Sequence, residues 1–360
     1  MAETLTKLTY QALQQGKSIF SVAHKAISTQ AMHLFAPNAK QEVEPWTPEL
    51  LATVQQRMDK ILAQDWQDAE QGIYPESLLF DDPWDEFVLN YPTVILDMIG
   101  IWERIGGKRY QEFDRDIQKD AYPRYYLQNF HYQTDGYLSD HSANLYDLQV
   151  ELLFNGAADA MRRRVLAPLK QGLSAFDVPP HQIRVLDVAC GTGRTLRMIR
   201  GMLPDAALFG TDLSPAYLRK ANQLLSQRLP LGGTAKQSGE LPQLMQANAE
   251  ELPYQDNFFH GLTCVFLFHE LPAEARQQVI QECFRVLQPS GTLVVCDSIQ
   301  MSDSPELAPA MRNFPIMFHE PYYRHYVTDD MTTRLEKAGF IVAEPEVHFM
   351  SKYWVARKPS

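Results

Sequence analysis

The junction at residues 185–194, Val-Leu-Asp-Val-Ala-Cys-Gly-Thr-Gly-Arg, constrains the fold of this chain more than any other feature. The apolar run 183–188 predicts a buried strand, and a helical pattern begins at Arg194. Gly191 and Gly193 lie between the two elements, where glycine lets the backbone turn sharply and a ligand come close. The N-terminus of the following helix offers free N–H groups and a partial positive charge. The junction therefore predicts a ligand cradle at the end of a strand.

Two carboxylates help to decide which ligand such a cradle can hold. Asp187 ends the first strand, and Asp212 ends the next apolar run, at a distance that fits one strand–helix–strand unit. A carboxylate at the tip of the second strand can accept hydrogen bonds from both hydroxyls of a ribose. A dinucleotide fingerprint would require glycine at position 196, where this chain has Leu196. The pattern therefore favours a ligand with a ribose but no pyrophosphate, such as S-adenosylmethionine, over NAD.

Five motifs extend this interpretation over residues 180–356. They are Asp-Val-Ala-Cys-Gly-Thr-Gly at 187–193, Gly-Thr-Asp-Leu-Ser at 210–214, Gln-Ala-Asn-Ala-Glu-Glu-Leu-Pro at 246–253, the segment 256–272, and Arg-Val-Leu-Gln-Pro-Ser-Gly-Thr-Leu at 285–293. In order and spacing they resemble the motifs of class I, Rossmann-like, seven-stranded S-adenosylmethionine-dependent methyltransferases, nearest to the ubiquinone/menaquinone-biosynthesis type. The resemblance implies an α/β fold in which a mostly parallel seven-stranded sheet carries helices on both faces. A mainly helical N-terminal region would form a cap.

The resemblance also implies which residues bind the cofactor. Asp187, Gly191 and Gly193 would hold the methionine end of S-adenosylmethionine, Asp212 would bind the ribose, and residues 248–249 would bind the adenine edge. The full set implied in this way is Tyr146, Asp187, Ala189, Gly191, Gly193, Asp212, Leu213, Asn248, Ala249 and Val265.

Composition restricts the partners and the location of the chain. The net charge of −11 over 360 residues argues against a nucleic-acid partner, which needs a basic footprint. No stretch approaches the ~20 apolar residues of a membrane span, and the N-terminus has no secretory signal, so we expect a cytoplasmic protein. The cysteines form no C-x-x-C pair and stand in apolar contexts, which predicts buried thiols and no metal site; they are Cys190, Cys264, Cys283 and Cys296.

Charge and aromatic content divide the N-terminal half. Residues 1–40 predict a weakly basic amphipathic helix, which can rest on a membrane surface or pack on protein, so peripheral membrane contact through 1–36 and the oligomeric state stay open. Residues 41–142 predict a helical region that is first acidic and then rich in aromatic residues. We expect this region to form the cap, and residues 143–360 to form the S-adenosylmethionine-binding domain.

The later part of the chain alternates between strand and helix patterns, which indicates a parallel sheet. A long helix is predicted over 144–169, and a loop over 232–242. The predicted strands are 183–188, 207–212, 244–247, 261–268, 291–298, 340–348 and 352–356.

The methyl group of a sulfonium is already activated, so a general base is needed only when the acceptor must lose a proton. His269 follows the fourth strand, at the edge of the sheet where ligands bind, and it is one candidate base. His319 is the candidate that we favour, with Glu320 or a tyrosine to orient it, in a segment rich in Met, Phe and Tyr between the fifth strand and the next helix. A structural role remains open for each of the three.

Methyl transfer to oxygen or carbon of a small, aromatic or lipid-like acceptor is the function that these features predict. One alternative is a non-catalytic cofactor-binding subunit, in which the N-terminal half serves a partner. Another is an NAD-dependent oxidoreductase, against which Leu196 argues.

Overall fold

Strands from the C-terminal half form one mixed sheet in the computed structural model, which describes residues 2–227 and 240–360. The strands are β1 (Arg184–Val188), β2 (Ala207–Asp212), β3 (Gln243–Gln246), β4 (Phe259–Val265), β5 (Leu287–Ser298), β6 (Ile341–Val342), β7 (Glu346–His348) and β8 (Ser351–Arg357). Their order is β3-β2-β1-β4-β5-β8-β6, and β7 also pairs with β8. The first five strands are parallel, whereas β8 runs antiparallel to β5. The carboxyl ends of β1, β2 and β4 therefore meet at one edge.

Helices precede the sheet and connect its strands. Those before the sheet are α1 (Ala2–Phe35), α2 (Pro48–Glu70), α3 (Trp84–Gly107), α4 (Asp140–Leu153), α5 (Ala158–Arg163) and α6 (Leu166–Leu173). Those within or after it are α7 (Arg194–Met202), α8 (Pro215–Ser226), α9 (Ala273–Val286), α10 (Ala308–Met317), α11 (Tyr323–Tyr326) and α12 (Met331–Lys337).

Both faces of the central strands are buried, because helices cover each side of the sheet. Successive residues of β1 show this: Val185 packs in one core cluster with Leu196 of α7, and Leu186 packs in another with Val279 of α9. This alternation follows the two-residue period of a strand. It confirms the predicted α/β architecture with helices on both faces.

The predicted sixth strand is divided in two. Residues 340–348 were expected to form one strand, but β6 and β7 are separated by residues 343–345, which include Pro345. A proline cannot donate to the ladder, so pairing with β8 is interrupted there. The sheet consequently has eight strands instead of seven.

The predicted helix over 144–169 is also divided, into α4, α5 and α6. The chain leaves α4 through Asn155 and Gly156, which have φ angles of 53° and 82°. A Cβ on Gly156 would lie 2.4 Å from the Cβ of Lys17 on α1, so this break lets α1 approach closely. Pro92, by contrast, lies inside α3 without ending it, although proline is unfavourable in the interior of a helix.

The N-terminal helices pack on the domain that contains the sheet. Tyr10 on α1 donates to the Asp65 carboxylate on α2 at 2.6 Å, and Arg163 on α5 binds the same carboxylate at 2.7 and 2.8 Å. Within the described residues, no helix has both the length and the apolarity needed to cross a bilayer. Most of the loop predicted at 232–242 lies outside the described residues.

Candidate functional site

The turn between β1 and α7 positions backbone groups at the carboxyl end of the sheet. Ala189, Gly191 and Gly193 have positive φ angles of 55°, 54° and 81°, a conformation that glycine adopts without a steric penalty. The N–H of Gly191 donates to Asp212 Oδ2 at 2.8 Å, and the N–H of Ser214 donates to Asp212 Oδ1 at 2.8 Å. The turn at Gly191 is therefore hydrogen-bonded directly to Asp212 at the end of β2.

Asp212 is held partly desolvated at this tip. Burial raises its pKa to about 6, although the backbone N–H groups of Ser214 and Gly191 oppose the rise. Each carboxylate oxygen accepts one backbone hydrogen bond and keeps a further lone pair. The carboxylate can therefore accept two more hydrogen bonds from a ligand.

The cavity at this edge, which we call the strand-end cavity, contains most of the residues predicted to bind a cofactor. Its lining includes eight of the ten predicted residues, namely Tyr146, Ala189, Gly191, Asp212, Leu213, Asn248, Ala249 and Val265. The Asn248 side-chain oxygen already accepts the Glu250 N–H at 3.0 Å and has one lone pair left for a ligand. Tyrosines 125, 126, 137 and 217 also line the cavity.

Asp187 and Gly193, the other two predicted residues, stand behind this cavity. Asp187 is buried and accepts the Thr263 hydroxyl at 2.6 Å, and burial raises the pKa of its carboxyl group to about 7. Gly193 precedes α7, and a Cβ there would lie 3.0 Å from the Cβ of Ala221. In this structure both residues support the turn, and neither is among the described residues that line the cavity.

A second cavity adjoins the first, and we call it the histidine cavity. It shares Tyr146, Phe266 and Glu270 with the strand-end cavity. The rest of its lining is mainly apolar, with two histidines and two hydroxyl groups: His131, Val150, Leu153, Phe154, His269, Ser298, Ala310, Met311, Phe314, Tyr323 and Met350. The two cavities therefore meet at the carboxyl end of β4.

His269 is oriented by a buried carboxylate. Its Nδ1 lies 2.7 Å from Asp297 Oδ1, and Asp297 also accepts the N–H groups of Phe268 and Ser298. Burial lowers the pKa of His269, but the charge and hydrogen bond of Asp297 outweigh it and raise the pKa to about 9. The imidazole is therefore protonated at neutral pH in this state of the protein.

A second acid–base cluster joins the aromatic segment to the segment after β5. His131 Nε2 lies 2.6 Å from Glu320 Oε1, although this contact lacks hydrogen-bond geometry, and both Glu320 oxygens are buried without a hydrogen-bond partner. Tyr137 donates to Glu270, whose carboxyl pKa is raised to about 7 by burial and by the charge of Glu320. Ligand atoms of His131, Glu270 and Glu320 lie within 4.8 Å of one another, close enough to share a cation. Burial lowers the pKa of His131, but the charge of Glu320 outweighs it and raises that pKa, which favours an imidazolium beside this carboxylate.

His319 lies outside both cavities as the described residues define them. Its ring stacks on Tyr110 at 4.3 Å, and its Nε2 lies 2.6 Å from the Gln128 side-chain oxygen. Burial lowers the pKa of His319. Of the three predicted catalytic residues, only His269 lines a cavity, while Glu320 reaches one through His131.

Several site residues were not among the predicted ones, including Glu270, His131, Tyr137 and Tyr217. Glu270 stands next to His269 in the fourth motif, and His131 and Tyr137 belong to the aromatic segment that was expected to form the cap. Those positions could have drawn attention to them. Tyr217 carries no such signal, because it is a single tyrosine in α8, and only the tertiary structure places it in the cavity lining beside Tyr137 and Tyr146.

Comparison with known proteins identifies the region that contains this site. Residues 185–291 match a family described as a methyltransferase domain. The chain is 30% identical over 160 residues to a demethylmenaquinone methyltransferase of Thermotoga maritima, a match that covers 44% of this chain and 59% of that protein. It is 31% identical over 152 residues to the demethylmenaquinone methyltransferase of Thermus thermophilus, covering 42% and 60% of the two chains.

A fungal enzyme shows a weaker match of similar extent. The chain is 26% identical over 167 residues to an O-methyltransferase of Penicillium expansum, a match that covers 46% of this chain and 55% of the fungal protein. In each of these three comparisons the chain spans less than two thirds of its relative. The five motifs, the sheet order and the matched region agree, and residues 185–291 of the chain are therefore similar to a methyltransferase domain.

Proposed function

We propose that the protein transfers the methyl group of S-adenosylmethionine to oxygen or carbon of a small aromatic or lipid-like acceptor. The observation that carries this proposal is the meeting of the strand-end cavity and the histidine cavity at Tyr146, Phe266 and Glu270. A cofactor in the first cavity and an acceptor in the second would face each other across these three residues. Such an arrangement suits an in-line displacement, in which orientation supplies much of the rate.

The residues of the strand-end cavity fit this cofactor. The unused lone pairs of Asp212 suit the two ribose hydroxyls, and the backbone N–H of Ala249 with the Asn248 oxygen suits the adenine edge. The carboxylate of Glu270 and the face of Tyr146 suit a positive charge where the two cavities meet. When bound, S-adenosylmethionine supplies an activated methyl group on a sulfonium.

The histidine cavity defines the class of acceptor. Phe154, Phe314 and Met311 offer a largely apolar surface, while His269, Ser298 and Tyr323 concentrate polar groups in one place. Ser298 and Tyr323 lie 2.8 Å apart, hydroxyl to hydroxyl, so they can donate and accept together. An acceptor with an apolar or aromatic body and one ionisable hydroxyl group or enolisable carbon fits this lining.

His269 is the base that we favour within this mechanism. Its Nε2 is available for the acceptor because Nδ1 is bound to Asp297, and the Asp297 charge stabilises the imidazolium that forms after proton transfer. Since the resting imidazole is protonated at neutral pH, methyl transfer should become faster as the pH rises towards about 9. His319 would reach an acceptor only after a rearrangement of the contacts to Tyr110 and Gln128, so it is the weaker candidate.

Two experiments test the function. Isothermal titration with S-adenosylhomocysteine and, separately, with NAD should give saturable binding for the first ligand only. Incubation with radiolabelled S-adenosylmethionine and a panel of quinones, phenols and fatty acids should then transfer label to at least one panel member. NAD binding alone would favour the oxidoreductase, whereas S-adenosylhomocysteine binding without transfer to the panel or to a cell extract would favour the non-catalytic subunit.

A further inference from the structure

Helix α1 is amphipathic, but it buries its polar face and exposes its apolar face. The residues that it buries are spaced alternately by four and three positions, as on one helix face, and four of the five are polar or charged: Tyr10, Gln14, Lys17, Ser21 and His24. Lys17 pairs with Asp82 at 3.0 Å and with Glu151 at 3.2 Å, and His24 Nδ1 lies 3.2 Å from the Tyr91 hydroxyl. The helix is therefore attached to its own domain mainly through polar groups.

Large apolar side chains point outward from the same helix. They are Leu5, Leu8, Ile19, Val22, Ile27 and Leu34, each with 54–76% of its surface exposed. In an ordinary surface helix such residues would face the core and the polar ones would face water. The inverted arrangement indicates that something outside this chain covers α1.

Helix α3 extends the apolar surface. Its exposed residues Val88, Leu89, Leu96 and Ile99 recur at helical spacing and are also 54–76% exposed. The two helices lie side by side, since the rings of Phe20 and Tyr91 are 5.1 Å apart and the Ser28 hydroxyl contacts the Met98 sulfur at 3.6 Å. We call the six residues of α1 and these four residues of α3 the outer stripe.

The outer stripe has the size of a dimer interface. Burying one aliphatic side chain stabilises a protein by roughly 1.5–3 kcal/mol, and at about 25 cal/mol per Å² this corresponds to an apolar area of roughly 100 Å². Ten such side chains, exposed to the extent seen here, therefore present an apolar area on the order of 600 Å². That equals the largest apolar patches of typical monomers, about 300–600 Å². A standard interface buries about 800 Å² per partner, of which about 65% is apolar in homodimers. The apolar area of the outer stripe is therefore large enough for one side of such an interface.

Charge distinguishes a protein partner from a lipid surface. A helix that binds anionic lipid places lysines beside its apolar face. In α1, Lys17 is buried in ion pairs, and the Lys25 ammonium donates to the Leu153 carbonyl at 2.7 Å and to the Asn155 side chain. The start of α3 is acidic, with Asp85 and Glu86 in its first turn. Lys17 and Lys25 are therefore turned towards the chain's own helices, and the ammonium of the third lysine of α1, Lys7, lies 5.7 Å from the Trp66 ring on α2.

We propose that the outer stripe is the interface of a homodimer, in which the α1–α3 surface of one chain packs on the same surface of a second copy. A twofold axis makes one apolar surface complementary to itself, and it requires no charged partner. This inference does not depend on the proposed methyl transfer, because the stripe contains none of the residues that line the two cavities.

Sedimentation velocity of the full-length protein over a range of concentrations tests the proposal. The wild type should sediment as a species of twice the chain mass. Ile27→Asp on α1 and Leu96→Asp on α3 should each raise the dimer dissociation constant more than about tenfold, because each buries an unpaired charge in an apolar interface. Ile341→Asp is the matched control, since Ile341 on β6 is 64% exposed, as Ile27 is 66% exposed, but lies outside the stripe. It should leave the dimer intact.

Three results would overturn the proposal. The first is a wild type that stays monomeric at every concentration. The second is a dimer that both stripe variants leave unchanged, which would place the interface elsewhere. The third is a monomer that co-sediments with vesicles of phosphatidylcholine and phosphatidylglycerol and loses that binding in Ile27→Asp, which would make a membrane the occupant. A circular dichroism spectrum and S-adenosylhomocysteine binding that match those of the wild type will show that a variant is folded. If Ile27→Asp does not fold, Leu96→Asp alone tests the interface.

Discussion

Replacing Asp297 by asparagine should move the pH dependence of methyl transfer towards acid. In the wild type, the Asp297 charge 2.7 Å from His269 Nδ1 overcomes the effect of burial and raises the imidazole pKa to about 9. Without that charge, burial lowers the pKa and is still opposed by the Glu320 and Glu270 charges, so the pKa should fall below about 9. The rate of the wild type should therefore rise with pH towards about 9, whereas that of Asp297→Asn should reach its plateau at a lower pH.

The same substitution should reduce stability in a pH-dependent way. A pKa raised from about 6.5 to about 9 corresponds to about 3 kcal/mol, at 1.36 kcal/mol per unit. Because the folded-state pKa is raised, this contribution is fully present below pH 6.5 and is lost as the pH rises through 9. Asparagine also leaves one N–H of Phe268 or Ser298 without its carboxylate acceptor, which costs about 1 kcal/mol at every pH.

Two measurements separate these effects. Initial rates between pH 6 and 10 at saturating S-adenosylmethionine give the kinetic midpoint, and urea unfolding at pH 6 and pH 9.5 gives the stability difference. Asp256→Asn is the control, because Asp256 is exposed and pairs only at the surface with Arg285. If the kinetic midpoint of Asp297→Asn coincides with that of the wild type, His269 is not the base, whatever its stability effect.

Four further substitutions give expected outcomes. Asp212→Ala should weaken S-adenosylhomocysteine binding by roughly 1–3 kcal/mol in titration calorimetry, the cost of leaving ligand hydroxyls unpaired. Gly156→Ala should lower the free energy of unfolding by roughly 2–4 kcal/mol in urea, because its φ of 82° strains alanine and the new Cβ would lie 2.4 Å from the Lys17 Cβ. His269→Asn should lower turnover by about 10²–10⁴-fold, whereas His319→Ala should change it by less than about threefold while both retain S-adenosylhomocysteine binding.

Matched variants keep these outcomes interpretable. Asp256→Ala removes an exposed carboxylate and should leave ligand affinity unchanged, so an equal loss in Asp256→Ala and Asp212→Ala would contradict the ribose assignment. Gly72 also has a positive φ, 72°, but a Cβ there meets nothing within 4 Å. Gly72→Ala should therefore cost only about 1 kcal/mol, and an equal loss in both glycine variants would refute the contact with α1. A large loss of turnover in His319→Ala would restore the base predicted from the sequence.

The strand-end cavity could be predicted because its determinants are local. Gly191 and Asp212 are linked by a hydrogen bond across a single strand–helix–strand unit, and the pattern of strands and helices places both at one edge of the sheet. Asp187 shows the limit of this reasoning. Its position was predicted correctly at the end of β1, but only the tertiary structure reveals that its carboxylate accepts from Thr263 on β4, behind the cavity.

The histidine cavity depends on contacts that no sequence pattern encodes. His131 meets Glu320 only because the aromatic segment folds over the segment after β5, where the His131 N–H also donates to the His319 carbonyl at 3.3 Å. The sequence pattern favoured His319 over His269 as the base. Burial and the Asp297 carboxylate distinguish them, and both are properties of the packed structure.

The direction in which an amphipathic helix faces is likewise absent from its sequence pattern. The apolar stripe of residues 1–36 predicted a helix correctly, and α1 spans Ala2–Phe35. The usual rule would turn that stripe inward, but the polar face is anchored first: Tyr10 and Lys17 find buried carboxylates on α2 and α4 and in the segment before α3. Turning Lys17 out to water would leave the buried carboxylates of Asp82 and Glu151 without their partner, which typically costs about 3–5 kcal/mol. The apolar face is then left exposed, and burying it in a second copy removes the conflict without breaking the ion pairs.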